Sequence, residues 1–516
     1  MGGRSILVAI AVAVVVVLGI GVAVAVTAGR ALAPATTASA ATSAAPESSW
    51  PTPKAVSWRA CRAADLRDAQ CASVAVPLDW SRPRGRTITL AIARVRHTAA
   101  PYAGVMLANP GGPGESGLSL ATLGSHVPGG VGERYDWVGF DPRGVGDSRP
   151  RLTCQADYAN GPRPRYAPPT DSTVSTWLAR ARRYASSCAK NGPILQHMTT
   201  ADSARDIEFL RLALRAPKVS YYGYSYGTYL GQVYATLFPS HVARMVLDSN
   251  VDPRRVWYGS NLDQDAAFQT TMEAFFRWVA QHDAVYGLGT TPRAVEQAYA
   301  SLAGRLSRSP AHGVLGPDEL ADTVLEAGYE QSWWQEIAGG LASALRQGDA
   351  SRLVADWRSI NSPDDDNGYA VYLAVDCTDA PWPADFATWR RDSSRVDAAA
   401  SFETWPNTWF NAPCLTWPAK AKQPVRVDGS KAPAALLIDE TLDAATPYRG
   451  SLEVRSRFPK ARLLAEPGGT SHADSLSGND CVDGAIARYL ASGALPARKA
   501  GRTADATCPP LPVPSP

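Results

Sequence analysis

The hydrophobic pattern changes character several times along the chain. Residues 6–26 form an uninterrupted apolar run, long enough to span a bilayer as a helix. From residue 72 onward, short apolar runs predict strands. The segment Thr87 to Val95 alternates in places and is bounded by Arg82-Pro83-Arg84-Gly85. Residues 104–108 form a short apolar run suited to a strand covered on both faces, and residues 135–140, 218–222 and 244–248 also predict strands. Between them, residues 199–214 carry Ile207, Leu210 and Leu214 on one helical face, with Asp202 or Ser203 as the cap. Residues 228–235 predict a second helix. Strands alternating with helices predict a parallel sheet.

After residue 252 the period becomes helical without clear strands, over 263–278, 292–306 and 317–345. The alternation returns with strands at 434–438 and 461–465 and helices at 451–458 and 481–491. The pattern divides the chain into an apolar segment at 1–30 and a flexible linker at 31–57. A first core part follows at 58–252, a mainly helical lid or cap insertion at 253–428 and a second core part at 429–508. A proline-rich tail at 509–516 is predicted to be disordered. Residues 33–53, rich in Ala, Ser, Thr and Pro, carry the linker character.

Composition narrows the partners. The 516 residues hold 51 basic and 48 acidic side chains, a net charge of +3, which gives no electrostatic footprint for nucleic acid. The run at 6–26, flanked by Arg4 and Arg30, is a signal peptide or a membrane anchor. Small-residue sites at Ala31-Leu32-Ala33 and Ala38-Ser39-Ala40 follow it. The eight cysteines fit an exported chain, because none forms a C-x-x-C pair and the count is even. Pairing between sequence neighbours gives Cys61–Cys71, Cys154–Cys188, Cys377–Cys414 and Cys481–Cys508. The expected location is secreted or extracytoplasmic and membrane-anchored. Membrane contact would come only through an uncleaved N-terminal segment, and the expected state is a monomer.

The chemistry is concentrated at Gly223-x-Ser225-x-Gly227. It lies between a predicted strand and a predicted helix, the context of a nucleophile elbow. A serine there needs a base and an orienting carboxylate. Elbow enzymes run in the chain order serine, acid, histidine. His282 and His312 fall in the helical insertion. His472 follows the strand at 461–465 through Glu466-Pro467-Gly468-Gly469-Thr470-Ser471, where the base belongs. The acid should follow the preceding strand. Asp443, on the turn before a helix, is the leading candidate, with Asp439 and Glu440 nearer the strand end as alternatives. An oxyanion hole needs two backbone N–H groups: one from Tyr226, one from Gly111 or Gly112 in Asn109-Pro110-Gly111-Gly112-Pro113-Gly114.

These pieces carry a family resemblance, together with Val76-Pro77-Leu78-Asp79-Trp80, the segment from Gly139-Phe140-Asp141-Pro142-Arg143 to Ser148, Val246-Leu247-Asp248, Thr441-Leu442-Asp443, and His472 followed by Cys481. Over residues 58–508 the chain resembles the secreted tripeptidyl aminopeptidases of the prolyl-iminopeptidase-related serine peptidases, as found in actinomycetes. The helical insertion is the weakest part of the likeness. Two departures stand out: Ser471 before the histidine and Ser249-Asn250 after Asp248, where the family commonly has glycine. The resemblance implies an α/β-hydrolase fold, a mostly parallel central sheet flanked by helices with a large helical lid insertion. It also implies a triad of Ser225, Asp443 and His472.

The expected function is an exported serine aminopeptidase that releases short N-terminal peptides, tripeptides by the resemblance, through an acyl-enzyme. No metal or cofactor is expected. The substrate would be a peptide with a free N-terminus, whose amine needs a carboxylate. Glu326, Glu330, Glu336, Asp376 and Asp379 are the candidates from the insertion. Two rivals remain: a small-molecule esterase or amidase using the same triad, and a catalytically inactive, membrane-tethered binding protein.

Overall fold

The computed structural model describes residues 45–160, 163–361 and 364–516. The apolar run at 6–26 and the first part of the linker lie outside the described residues. Among the described residues no helix is long and apolar enough to cross a membrane.

Ten strands of the described residues form one sheet: β1 (Arg59–Ala60), β2 (Gln70–Pro77), β3 (Thr87–Val95), β4 (Gly104–Asn109), β5 (Tyr135–Phe140), β6 (Val219–Tyr224), β7 (Val242–Asp248), β8 (Ala435–Glu440), β9 (Arg462–Glu466) and β10 (Ala506–Thr507). Their order is β1-β2-β3-β5-β4-β6-β7-β8-β9-β10. The β1–β2–β3–β5 pairings are antiparallel, and the rest, from β5 through β4 to β10, are parallel. This is the α/β-hydrolase arrangement. Strand order reverses around β4, so the carboxyl ends of β4 and β6 open a crevice at a topological switch point.

The continuous apolar strands follow from burial on both faces. Every residue of β6 and of β8 is buried. One face packs on α1 (Asp171–Cys188), α2 (Thr200–Ala213) and α3 (Tyr226–Leu237), where Leu107, Val219 and Tyr221 meet Ile207, Leu210, Leu230 and Val233. On the other face Met106, Tyr222, Val246 and Leu436 meet Val482, Ile486 and Leu490. The cap of α2 is Thr199, whose side chain accepts the Asp202 N–H, rather than Asp202 or Ser203. The hydroxyl of Thr199 sits just before the first turn and reaches an N–H that the helix leaves unpaired.

Between β7 and β8 lie α4 (Tyr258–Gln281), α5 (Asp283–Tyr286), α6 (Pro292–Leu306), α7 (Pro317–Tyr329), α8 (Trp334–Arg346), α9 (Ser351–Asn361), α10 (Asn367–Asp379), α11 (Phe386–Asp397) and α12 (Thr404–Asn411). Helices α4 to α9 share a core of their own around Phe275, Trp278, Val324, Trp334, Leu341 and Leu353. Helix α10 does not join it. Its Ala370, Val371, Leu373 and Ala374 enter the main core instead. The helix predicted over 317–345 is broken, because Glu330 is extended (φ −143°, ψ 133°). After β8 the chain forms α13 (Arg449–Arg457), and α14 (Asp480–Ser492) follows β9.

Two boundaries differ from the sequence expectation. Residues 45–57 do not behave as a flexible linker. Trp50 is buried, with its ring 4.3 Å from that of Trp80, because an aromatic pair of that size gains more by burial than the segment loses in chain freedom. The tail at 509–516 is docked rather than disordered. Trp278 Nε1–H donates to Pro514 O (3.1 Å), Gln331 Nε2–H to Leu511 O (3.2 Å) and Asn479 Nδ2–H to Pro509 O (2.9 Å). Proline carbonyls remain good acceptors although the residue has no N–H to give. The cysteines pair as Cys61–Cys71, Cys154–Cys188, Cys377–Cys414 and Cys481–Cys508.

Candidate active site

Ser225 stands between β6 and α3 with φ 53° and ψ −128°. A non-glycine residue there is strained, and such strain is held only by close surroundings. Here they are close. A Cβ on Gly223 would lie 2.5 Å from Gly227 O, and one on Gly227 would lie 2.6 Å from Asn109 O. Only hydrogen at both positions lets strand, turn and helix pass. Backbone bonds fix the turn: Ser225 N–H donates to Asp248 O (3.0 Å) and Thr228 N–H to Ser225 O (2.8 Å). The Ser225 side chain lines a cleft.

His472 lies on the loop after β9. Its Nδ1 is 2.8 and 3.0 Å from the two carboxylate oxygens of Asp443. A carboxylate only accepts, so Nδ1 carries the proton and Nε2 is left as an acceptor, the form a candidate base needs. Asp443 is fixed in turn, accepting the Thr446 N–H (2.9 Å) and the Thr446 hydroxyl (3.0 Å). Thr446 Oγ1 is also 3.4 Å from His472 Nδ1. The other carboxyl candidates face elsewhere. Both belong to β8 rather than to the loop, where Asp439 accepts the Ser451 hydroxyl and Glu440 the Ser471 N–H. His282 bonds Trp278 O inside the lid, and His312 lies near Ser351 on an exposed face.

The loop after β4 touches the elbow directly. Gly111 has φ +110° and Gly112 φ +100°. A Cβ on Gly111 would lie 2.8 Å from Ser225 Cβ and 3.0 Å from Tyr226 N. Tyr226 begins α3, so its N–H has no partner within the helix. Gly111→Ala is therefore expected to lower kcat about 10²- to 10³-fold, with KM much less affected, when a peptide–chromophore substrate is followed by absorbance.

The cleft brings together Gly112, Ser225, Tyr226, Trp257, Tyr372, Asp376 and Thr446 among its walls. Of the five candidate amine anchors, Asp376 alone lines it. Asp376 is 1% exposed, and its Oδ1 has no hydrogen-bond partner. Burial, then the nearby charge of Asp379, pushes its carboxyl well above the ordinary range. The other candidates are placed differently. Glu336 is ion-paired with Arg352 at the surface. Asp379 accepts from the Thr200 N–H, the Thr200 hydroxyl and Trp257 Nε1–H. Glu326 and Glu330, near the end of α7, are not in the cleft wall. Glu326 is pushed up to about 7, by burial first and then by Glu330, and exposed Glu330 accepts the Ser332 hydroxyl (3.0 Å).

Comparison with known proteins places the chain in a family. Residues 400–508, which hold Asp443 and His472, match the family described as TAP-like protein. A tripeptidyl aminopeptidase of Streptomyces coelicolor is 40% identical over 481 residues, covering 89% of this chain and 87% of that protein. The chain belongs to the tripeptidyl aminopeptidase family. Serine protease Hip1 of Mycobacterium tuberculosis is 32% identical over 475 residues (86% of this chain, 89% of that protein). A Mycobacterium tuberculosis protein named carboxylesterase B is 32% identical over 471 residues (85% and 88%).

For this tripeptidyl aminopeptidase family member, the electrostatics of His472 give a pH prediction. Burial pushes the imidazole pKa down, but Asp443, then Asp248 and Glu330, outweigh it, and the net shift is upward from 6.5. The base must be neutral to accept a proton. Activity should therefore rise with pH as His472 deprotonates, with the acid limb of kcat/KM centred above 6.5. Asp443→Asn should move that limb down and lower kcat by about 10⁴.

Two residues of the site were not singled out from sequence. Thr446 had a signal: a hydroxyl residue three positions after an aspartate forms a local side-chain-to-backbone turn. Tyr329 had none. Its carbonyl accepts the His472 N–H (2.8 Å) and its ring lies edge-on to the imidazole at 5.9 Å. Only the break after α7 brings it there.

Proposed function

We infer that this chain is an exported serine aminopeptidase that removes short peptides, tripeptides by its family, from a free N-terminus. The observation that carries the reading is the placement in one cleft of the elbow serine and of Asp376, whose Oδ1 has no hydrogen-bond partner. A buried carboxylate oxygen without a partner is costly. A substrate ammonium would supply both the charge and the hydrogen bonds it lacks.

In the proposed reaction, Ser225 Oγ attacks the scissile carbonyl while His472 Nε2 takes its proton. Asp443 holds the imidazole tautomer and stabilises the imidazolium that forms. The N–H groups of Tyr226 and of Gly111 or Gly112 bind the oxyanion. His472 then gives the proton to the leaving amine, and water, activated by the same histidine, releases the N-terminal peptide. The lid helices close one side of the cleft and favour short or unstructured substrates. Four disulfides and the apolar run at 6–26 support export.

The relative named carboxylesterase B favours a second reading, an esterase with the same triad. Chromogenic substrates with one to four residues before the chromophore, each with a free or acetylated N-terminus, separate the two. Cleavage of the free three-residue substrate, lost on acetylation, is the expected result. Indifference to acetylation, or turnover of simple esters alone, would move the protein to the esterase reading.

A further inference from the structure

The loop carrying His472 has no regular structure, yet its backbone is pinned at nearly every position. The Ser471 N–H donates to Glu440 and the His472 N–H to Tyr329 O. The Ala473 N–H donates to Ser249 Oγ (2.8 Å) and the Ser475 N–H to Asp248 Oδ2 (2.9 Å). The last two acceptors are neighbours at the end of β7. They are joined to each other, since the Ser249 hydroxyl donates to Asp248 Oδ1 (3.3 Å). The same dipeptide also holds the nucleophile, through the Ser225 N–H donated to Asp248 O. Both residues are almost fully buried, at 2% and 1% exposure. Ser475 is buried as well, so losing the Asp248 carboxylate would leave a buried N–H unpaired, whereas Ala473 is half-buried and its bond to Ser249 acts on loop geometry more than on stability.

Backbone conformation adds a second observation. Ser249 has φ +63° and Ala473 φ +61°, values that non-glycine residues adopt only under constraint. The two strained residues are the pair joined by the 2.8 Å bond. A glycine at 249 would relieve the strain and remove the hydroxyl together.

We propose that Asp248 and Ser249 are positioning residues for the base: their side chains lock the catalytic loop so that the His472 imidazole stands between Asp443 and Ser225. This rests on the triad reading above. Neither residue touches substrate. Their effect is on the alignment of the imidazole, where a misplacement of about 1 Å can cost about a hundredfold in rate.

The test uses the full chain and the variants Ser249→Gly, Ser249→Ala, Asp248→Asn and Asp248→Ala, with kcat, KM and Tm measured for each. Ser249→Gly should keep or raise Tm, because the strain is gone, while kcat falls about 10- to 100-fold and KM stays within about twofold. Ser249→Ala should lose kcat similarly at unchanged Tm. Asp248→Asn, whose amide oxygen still accepts the Ser475 N–H, should keep most of kcat, and Asp248→Ala should not. Wild-type kcat in Ser249→Gly, or parallel loss of kcat and Tm through the series, would overturn the proposal. His472→Ala separates the two levels. If it stays active, the triad reading fails and this proposal with it. If it is inactive while the Asp248 and Ser249 variants match wild type, only the positioning role fails.

Discussion

Replacing Ser225 by alanine should lower kcat by roughly a millionfold, the scale on which loss of an activated serine acts, and leave the fold intact. The reason for the second half is that the elbow is held by backbone groups. Asp248 O accepts the Ser225 N–H and Ser225 O accepts the Thr228 N–H, and alanine makes both bonds equally well. Alanine also bears the same strain at φ 53° that serine does. Turnover of a free tripeptide–chromophore substrate and covalent labelling by a fluorophosphonate probe should disappear together, at an unchanged Tm. Retained turnover would remove Ser225 from the mechanism. Retained turnover without labelling would point to another nucleophile.

Asp376→Asn should separate binding of the substrate amine from the chemistry. The amide fills the same space but cannot neutralise an ammonium. Losing one partner of a buried charge pair costs about 2–4 kcal/mol, or roughly 30- to 1,000-fold in kcat/KM. That loss should fall on substrates with a free α-amine. Analogues lacking the amine, already poor for the wild type, should be unchanged, so the discrimination between the two collapses. Stability should move the other way. The folded pKa of Asp376 is raised, so the native state holds its proton more tightly than the unfolded chain does. Wild-type stability from this group therefore falls as pH rises above the ordinary value of 3.8. Asparagine has no such loss, and the variant should have the higher Tm at pH 7, with the difference shrinking toward pH 4. A variant that still prefers the free amine would place the anchor on another residue, with Glu326 and Glu330 the next to replace.

The core and the elbow were legible for a common reason: each rests on local pattern. Strands β4 to β9 are short apolar runs because helices cover both faces of the sheet, and that burial is written into consecutive residues. The elbow was legible because its tight turn demands glycine at 223 and at 227, on either side of Ser225. Chain order then placed the candidate acid and base on the loops after the last long strands, where Asp443 and His472 meet. The cysteine pairing between neighbours in sequence was legible too.

What failed did so where a segment's partner is distant in sequence. Helical period continued through Glu330, so nothing local announced the break that hands Tyr329 O to His472. Proline content made the tail at 509–516 look disordered, but the carbonyls it offers are taken by Trp278 and Gln331. Trp50 looked like part of a linker until Trp80 and Phe209 closed over it. The five candidate anchors were alike in sequence, each an acidic residue of the insertion. Their difference lies in what stands beside them: Arg352 for Glu336, Thr200 and Trp257 for Asp379, an open cleft for Asp376. Sheet and elbow could be read from the chain, because strand burial and a tight turn constrain adjacent residues. Which candidate anchor faces the cleft, and which carbonyls and side chains hold the His472 loop, emerged only on folding, because those depend on contacts between segments far apart along the chain.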